Sequence, residues 1–136
     1  MADDETLMES FWQVARQVRQ MSMQALAPWD ITPSHARAMG VLTRHGVIRL
    51  SELSDHLRIA ARTATEVVDA LEERGFVQRQ GDPEDRRATL VSLTDEGRRV
   101  SDAIRATRAA EAERFFGTLS AADQAHLSRI LRKFTR

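Results

Sequence analysis

Residues 57–97 read LRIAARTATEVVDALEERGFVQRQGDPEDRRATLVSLTDEG, and the way this stretch divides decides the organisation of the whole chain. In TATEVVDALEERG, Val67, Val68 and Leu71 recur at the spacing of one helix face, and Gly75 supplies the C-terminal stop. Phe76–Arg79 and Ala88–Leu93 have extended character, with Leu90 and Ser92 on one face and Val91 and Leu93 on the other. Gly81-Asp82-Pro83 between them is hairpin punctuation. Thr94-Asp95-Glu96 opens a further helix, with Thr as cap and two acids in the first turn, where the helix dipole favours negative charge.

Working outward, VIRLSELSDHLRI before this stretch predicts a short extended segment over residues 47–50. A helix capped by Ser51 then follows, with Leu53 and Leu57 on one face. A turn over Ile59–Arg62 joins it to the helix above. Two short helices joined in this way form a helix-turn-helix, and the hairpin that follows makes it a winged helix. Thr32-Pro33 starts an earlier helix, running through Ala36, Met39, Val41 and Leu42 to His45-Gly46.

At the N-terminus Leu7, Phe11, Val14, Val18, Met21 and Ala25 alternate steps of four and three, a heptad-like seam preceded by Asp3, Asp4 and Glu5 and ended by Pro28-Trp29-Asp30. After residue 94 the helix carries Val100, Ile104 and Phe115-Phe116 up to Gly117. Ser120 and Asp123 fit a capping pattern for a last helix bearing Leu127, Ile130, Leu131 and Phe134. The expected fold is mainly α with a small β-hairpin wing: a winged helix-turn-helix flanked by N- and C-terminal dimerisation helices. Residues 1–136 then form a single domain, 32–93 being its winged part and 1–31 and 94–136 its flanking helices. The flanking apolar faces exceed what so short a monomer covers, so burial across a two-fold axis is expected.

Composition bounds the rest. The 136 residues are 42% hydrophobic and 29% charged, ordinary for a folded soluble chain. No apolar run approaches the roughly 18 residues that cross a membrane. The acidic start MADDETLMES is no signal peptide, so a cytoplasmic location is expected. Without Cys there is no disulfide, thiolate zinc site or cysteine nucleophile. His35, His45, His56 and His126 are scattered and sit in no H-E-x-x-H, G-x-S-x-G or phosphate-loop pattern, so neither an enzyme, a cofactor nor a metal is expected. Twenty basic residues balance twenty acidic ones, and all the basic ones but Lys133 are Arg. Charge alone therefore names no partner.

The recognition-type helix, the D-x-R tip at Asp85–Arg87 and the L-T-D-E-G helix start at 93–97 together resemble the MarR family of bacterial transcriptional regulators. The likeness covers about forty contiguous positions in type and order, and flanking helices of suitable length extend it over the whole chain. It implies a nucleoid-associated homodimer that binds a pseudo-palindromic operator in double-stranded DNA, most often as a repressor. It also implies release by a small aromatic or phenolic effector. The family usually has Ser, Asp or Pro where the recognition helix begins. Here Ile59-Ala60-Ala61-Arg62 stands, and Ala is a cap worse by about 1 kcal/mol, which leaves the start of that helix open.

On this reading Arg62, Thr63, Thr65 and Glu66 occupy the first turn and a half, opposite the core-facing residues, where a helix lying in the major groove meets base edges. Arg87 would enter the minor groove, narrow and negative over A/T-rich steps. Asp85 would orient it, and Arg86 and Arg79 would add positive charge on the same face. By position, Trp12, Arg16, Trp29, His35 and Met39 are the candidates for effector contacts. The rival reading is a winged-helix dimer that serves as a protein-interaction module without DNA.

Overall fold

Short polar residues mark most helix starts in this chain, and the computed structural model, which describes residues 5–135, uses four of them as caps. Thr6 starts α1 (Leu7–Gln24), its hydroxyl accepting the Glu9 N–H while the Glu9 carboxylate accepts the Thr6 N–H. This capping box was legible as T-x-x-E but not expected. The proposed dipole role of Asp3 and Asp4 lies outside the described residues. Thr32 starts α2 (Pro33–His45), Thr94 starts α5 (Asp95–Phe116) and Ser120 starts α6 (Ala121–Arg132). Phe134, expected on the last helix, follows it in a turn.

Two starts differ from expectation. Ser51 does not cap α3 (Leu50–Leu57). The helix begins one residue after a short strand, β1 (Ile48–Arg49), and Glu52 reaches back to accept the Arg49 N–H at 3.2 Å. Arg49 is drawn into the cap position because β1 pairs with a strand about 40 residues later, Arg49 lying opposite Leu90. The turn after α3 is also shorter than expected. Arg58, at φ 55°, reverses the chain, Ala60 is the cap, and α4 (Ala61–Glu73) already contains Arg62. Ala60 makes no side-chain cap bond. The open question of where this helix starts is thus answered at Ala61.

The hairpin is longer than its sequence suggested. β2 (Val77–Asp82) and β3 (Asp85–Leu93) pair antiparallel from Val77↔Leu93 to Asp82↔Asp85, leaving Pro83-Glu84 as the turn. The sheet order is β1-β3-β2. With β3 central and helices packed on it, Val91, Ser92 and Leu93 are all buried, so the expected alternation of faces does not appear as alternating burial. The core gathers Met39, Leu53, Val68, Leu71, Val77, Val91 and Val100, almost all aliphatic. Each such side chain is worth about 1.5–3 kcal/mol when removed from water. By contrast, neither α1 nor α6 buries a residue among those described. The seam of Leu7, Phe11, Val14 and Val18 is exposed, as are Ile130, Leu131 and Phe134. The fold is a winged helix-turn-helix with helices at both ends. No helix of the described residues is long and apolar enough to cross a membrane.

Candidate nucleic-acid interface

The buried side of α4 is Ala64, Val67, Val68 and Leu71, which turns Arg62, Thr63, Thr65, Glu66 and Asp69 outward. All five are exposed. Arg62 and Glu66 lie one turn apart with 3.8 Å between Nε and carboxylate, a loose surface pair that leaves the Arg62 side chain 93% exposed. Such pairs hold little energy, so the arginine is free to exchange its partner for a phosphate or a base. The Thr65 hydroxyl donates to the Ala61 carbonyl at 3.0 Å and keeps its lone pairs and its methyl for an outside contact.

At the far end of the hairpin Arg86 and Arg87 are exposed. Asp85 accepts the Arg87 N–H at 3.0 Å and stands 3.7 Å from its Nε, while the Arg87 side chain remains 95% exposed. The expected proximity of Asp85 to Arg87 is thus present in the geometry, as an aspartate that holds the arginine's own backbone. Asp82, on the other side of the turn, accepts the Glu84 N–H at 2.9 Å and pairs with Arg49. The Glu84 N–H and then the Arg49 guanidinium hold its carboxyl below the usual range.

Arg79 differs from the sequence expectation. It does not stand free beside the wing. Its guanidinium turns onto α4, paired with Asp69 and with Glu72 and close to the Thr65 carbonyl. It cancels two acids on the helix that would face a phosphate backbone, and it ties β2 to that helix. Sequence reasoning missed Asp69 and Glu72 as its partners, although their three-residue spacing sets both on one side of α4.

The five effector candidates are not brought together. A cavity of about 440 Å³ opens between α2 and α5, lined by Ala36, Met39, Gly40, Thr43, Arg44, Ser101, Ile104, Arg105 and Arg108. Only Met39 of the five lines it. Trp12 and Arg16 lie on α1 away from it, Trp29 packs at the edge of the core, and His35 closes the α2 cap by accepting the Thr32 N–H on Nδ1. Burial, and then the charge of Arg74, lower the pKa of His35, in keeping with a ring that must stay neutral to accept. The residues missed are Arg44, Arg105 and Arg108. Arg108 reaches the Ser22 carbonyl at 3.4 Å, and its buried Nε has no acceptor among the described residues. The signal was present as one-face spacing, 36-39-40-43 on one helix and 101-104-105-108 on the other. Among the described residues no three His, Asp or Glu side chains gather where they could hold a metal.

Known proteins resemble this chain in sequence and in fold. A family model described as the MarR family matches residues 31–89. The transcriptional regulator HosA of Escherichia coli is 31% identical over 123 residues, which is 86% of this chain and 90% of HosA. The HTH-type transcriptional repressor MdtR of Bacillus subtilis is 23% identical over 136 residues, 100% of this chain and 86% of MdtR. Among solved structures, a mutant of MepR from S. aureus, bound to an oligodeoxyribonucleotide, superposes with a TM-score of 0.76 over 97% of each chain at 20% identity. That likeness is one of fold.

Proposed function

The chain belongs to the MarR family of transcriptional regulators, and from that premise we propose that it binds a pseudo-palindromic operator as a homodimer and acts there as a repressor. The observation that carries this reading is the placing of two exposed arginines on helix and wing elements that are tied together. Arg79 locks the wing strand β2 to α4, while Arg62 and Arg87, each more than nine-tenths exposed, extend from helix and wing respectively. In the reading proposed, α4 lies in the major groove with Arg62, Thr63, Thr65 and Glu66 toward the base edges. The wing tip enters the neighbouring minor groove through Arg87, with Arg86 on the backbone. Asp85 and Arg79 serve as positioning residues.

Residues 32–93 form the DNA-reading part, and α1, α5 and α6 the dimerisation part. The exposed seam of α1 and the apolar end of α6 support this, since two such faces left in water are costly at about 25 cal/mol per Å². A two-fold axis then sets the two copies of α4 on successive turns of one duplex face. The cavity between α2 and α5 supports an effector of the small aromatic class, with Met39 and Ile104 against the ring and Arg105 or Arg108 on an acidic group. Gly40 supports it too. Gly in a helix interior costs about 1 kcal/mol relative to Ala, yet open space surrounds the place of its missing side chain.

The test is selection from random duplex DNA by the full-length protein, followed by titration of the enriched duplex over a range of salt. A two-fold-symmetric consensus, bound with an affinity that falls steeply as salt rises, is the expected result. No enrichment, or binding indifferent to salt, overturns the reading in favour of a protein-interaction module.

A further inference from the structure

Among the described residues, one ion pair that its own hairpin does not supply fastens the wing tip to the body. Beyond Gly81 the ladder between β2 and β3 slips register, and its last pair is Asp82↔Asp85. β1 pairs with β3 only through Val91 and Leu90, nearer the body, so among the described residues no strand supports the tip from the side. Two aspartates therefore face each other across a two-residue turn. Left uncompensated, they would repel and splay it. Arg49 offsets the charge of one of them. Its Nε and Nη2 bind Asp82 Oδ2 at 2.9 and 2.8 Å, a two-pronged contact on a carboxylate whose side chain is only 8% exposed. The other oxygen, Oδ1, accepts the Glu84 N–H at 2.9 Å. One carboxylate so shapes the turn and ties it to Arg49, whose own backbone begins α3 through Glu52.

We propose that Arg49 is a positioning residue for DNA binding, acting through Asp82 to hold the wing tip at the angle from which Arg87 enters the minor groove. This rests on the minor-groove role of Arg87 given above. The chain of contacts is short: Arg49 to Asp82, across Pro83-Glu84 to Asp85, and from Asp85 to the backbone and guanidinium of Arg87. Arg87 is 95% exposed and has no other anchor among the described residues, so the pose of the tip is the pose of its side chain.

Asp82→Asn separates this from simple charge. It keeps an acceptor for the Glu84 N–H and removes a negative charge close to where phosphates would lie. By electrostatics alone, affinity should hold or rise; through the clamp it falls. The measurements are affinities for a duplex enriched by the parent protein from random DNA, for Arg49→Met, Asp82→Asn, Arg87→Ala and the double variants with Arg87→Ala. Circular dichroism of each variant monitors folding. Arg49→Met and Asp82→Asn are expected to weaken binding roughly five- to tenfold in the parent, within the range that coupled neighbours span, and less than about twofold once Arg87 is Ala. Equal losses in both backgrounds, or tighter binding by Asp82→Asn, overturn the clamp. If Arg87→Ala itself binds as the parent does, it is the minor-groove reading that fails, and the clamp with it. A normal loss at Arg87 with none at Arg49 or Asp82 removes the clamp alone.

Discussion

Replacing Gly97 with Ala sets two well-measured effects against each other. Gly97 lies in the first turn of α5, where Ala is the better helix former by about 1 kcal/mol. Propensity alone therefore says the variant is more stable. The structure says otherwise. A β-carbon on Gly97 would lie 1.9 Å from the Phe76 carbonyl oxygen and 2.8 Å from its carbon. These are backbone atoms at the start of the wing, and no rotamer moves them aside. Phe76 O also accepts the Thr94 N–H at 3.0 Å, and Thr94 in turn donates its hydroxyl to Gly75 O at 2.6 Å and accepts the Gly97 N–H at 3.0 Å. Opening the contact by more than an ångström thus pulls on the cap of α5 as well. Overpacking costs about 1–3 kcal/mol and a lost hydrogen bond about 1 kcal/mol. After the gain in propensity, roughly 1–3 kcal/mol of destabilisation remains. At roughly 4 °C per kcal/mol for a chain of this size, Tm falls by about 4–12 °C. Thermal unfolding of parent and variant at equal protein concentration reads this directly, since assembly makes Tm depend on concentration. A variant as stable as the parent, or more so, would refute the close approach of α5 to the wing.

The remaining expectations concern charge, assembly and pH. Arg87→Ala should weaken binding to the enriched duplex at least about tenfold with Tm unchanged, because the side chain is almost wholly exposed; a matching fall in Tm would mark it as structural instead. Phe11→Glu puts a charge in the exposed α1 seam, and by sedimentation the variant should have half the parent's mass, whereas an intact dimer would move the interface elsewhere. His35 has its pKa lowered from 6.5, first by burial and then by Arg74, so near that pH the unfolded chain binds a proton the folded chain resists. Stability should therefore fall as pH drops from about 6.5 through the lower folded value, as the protonated ring ceases to accept the Thr32 N–H. His35→Gln should flatten that slope in denaturant titrations across the range, and an unchanged slope would assign it to another group.

Most of the fold was legible because it is written locally. Thr32-Pro33, Thr94-Asp95-Glu96 and Ser120–Asp123 each set a helix start within about four residues, and Gly75 at φ 79° ends α4 as its place in the sequence suggested. The misreadings share another cause. Ser51 is the better cap by propensity, but the pairing of β1 with β3 moves the cap to Arg49, and that partner is about 40 residues away. The burial of Ser92 likewise follows from helices packed against the central strand, which are distant in the chain. At the interface, the outward face of α4 followed from the core spacing of Val67, Val68 and Leu71. The partners of Arg79 and Arg49 did not, because ion pairs between elements depend on how the elements pack.

The same distinction bears on how a neutral chain leaves particular arginines exposed. Along α5, Arg98, Arg99, Arg105 and Arg114 each pair with the acid three residues before them, so much of that helix's charge cancels within a single turn. On the wing and α4, Asp82 and Asp69 are answered by Arg49 and Arg79, which face inward across the fold. The acids nearest the exposed arginines, Glu66 and Asp85, hold them only loosely, at 3.8 and 3.7 Å. Net charge sums over all these pairs, while a phosphate backbone within a Debye length of about 8 Å responds to the groups that remain exposed. A chain can therefore total zero and still present guanidinium groups to DNA, provided its acids are engaged elsewhere. Asp69, Glu72 and Asp82 are engaged by packing, and a count over the sequence has no access to packing.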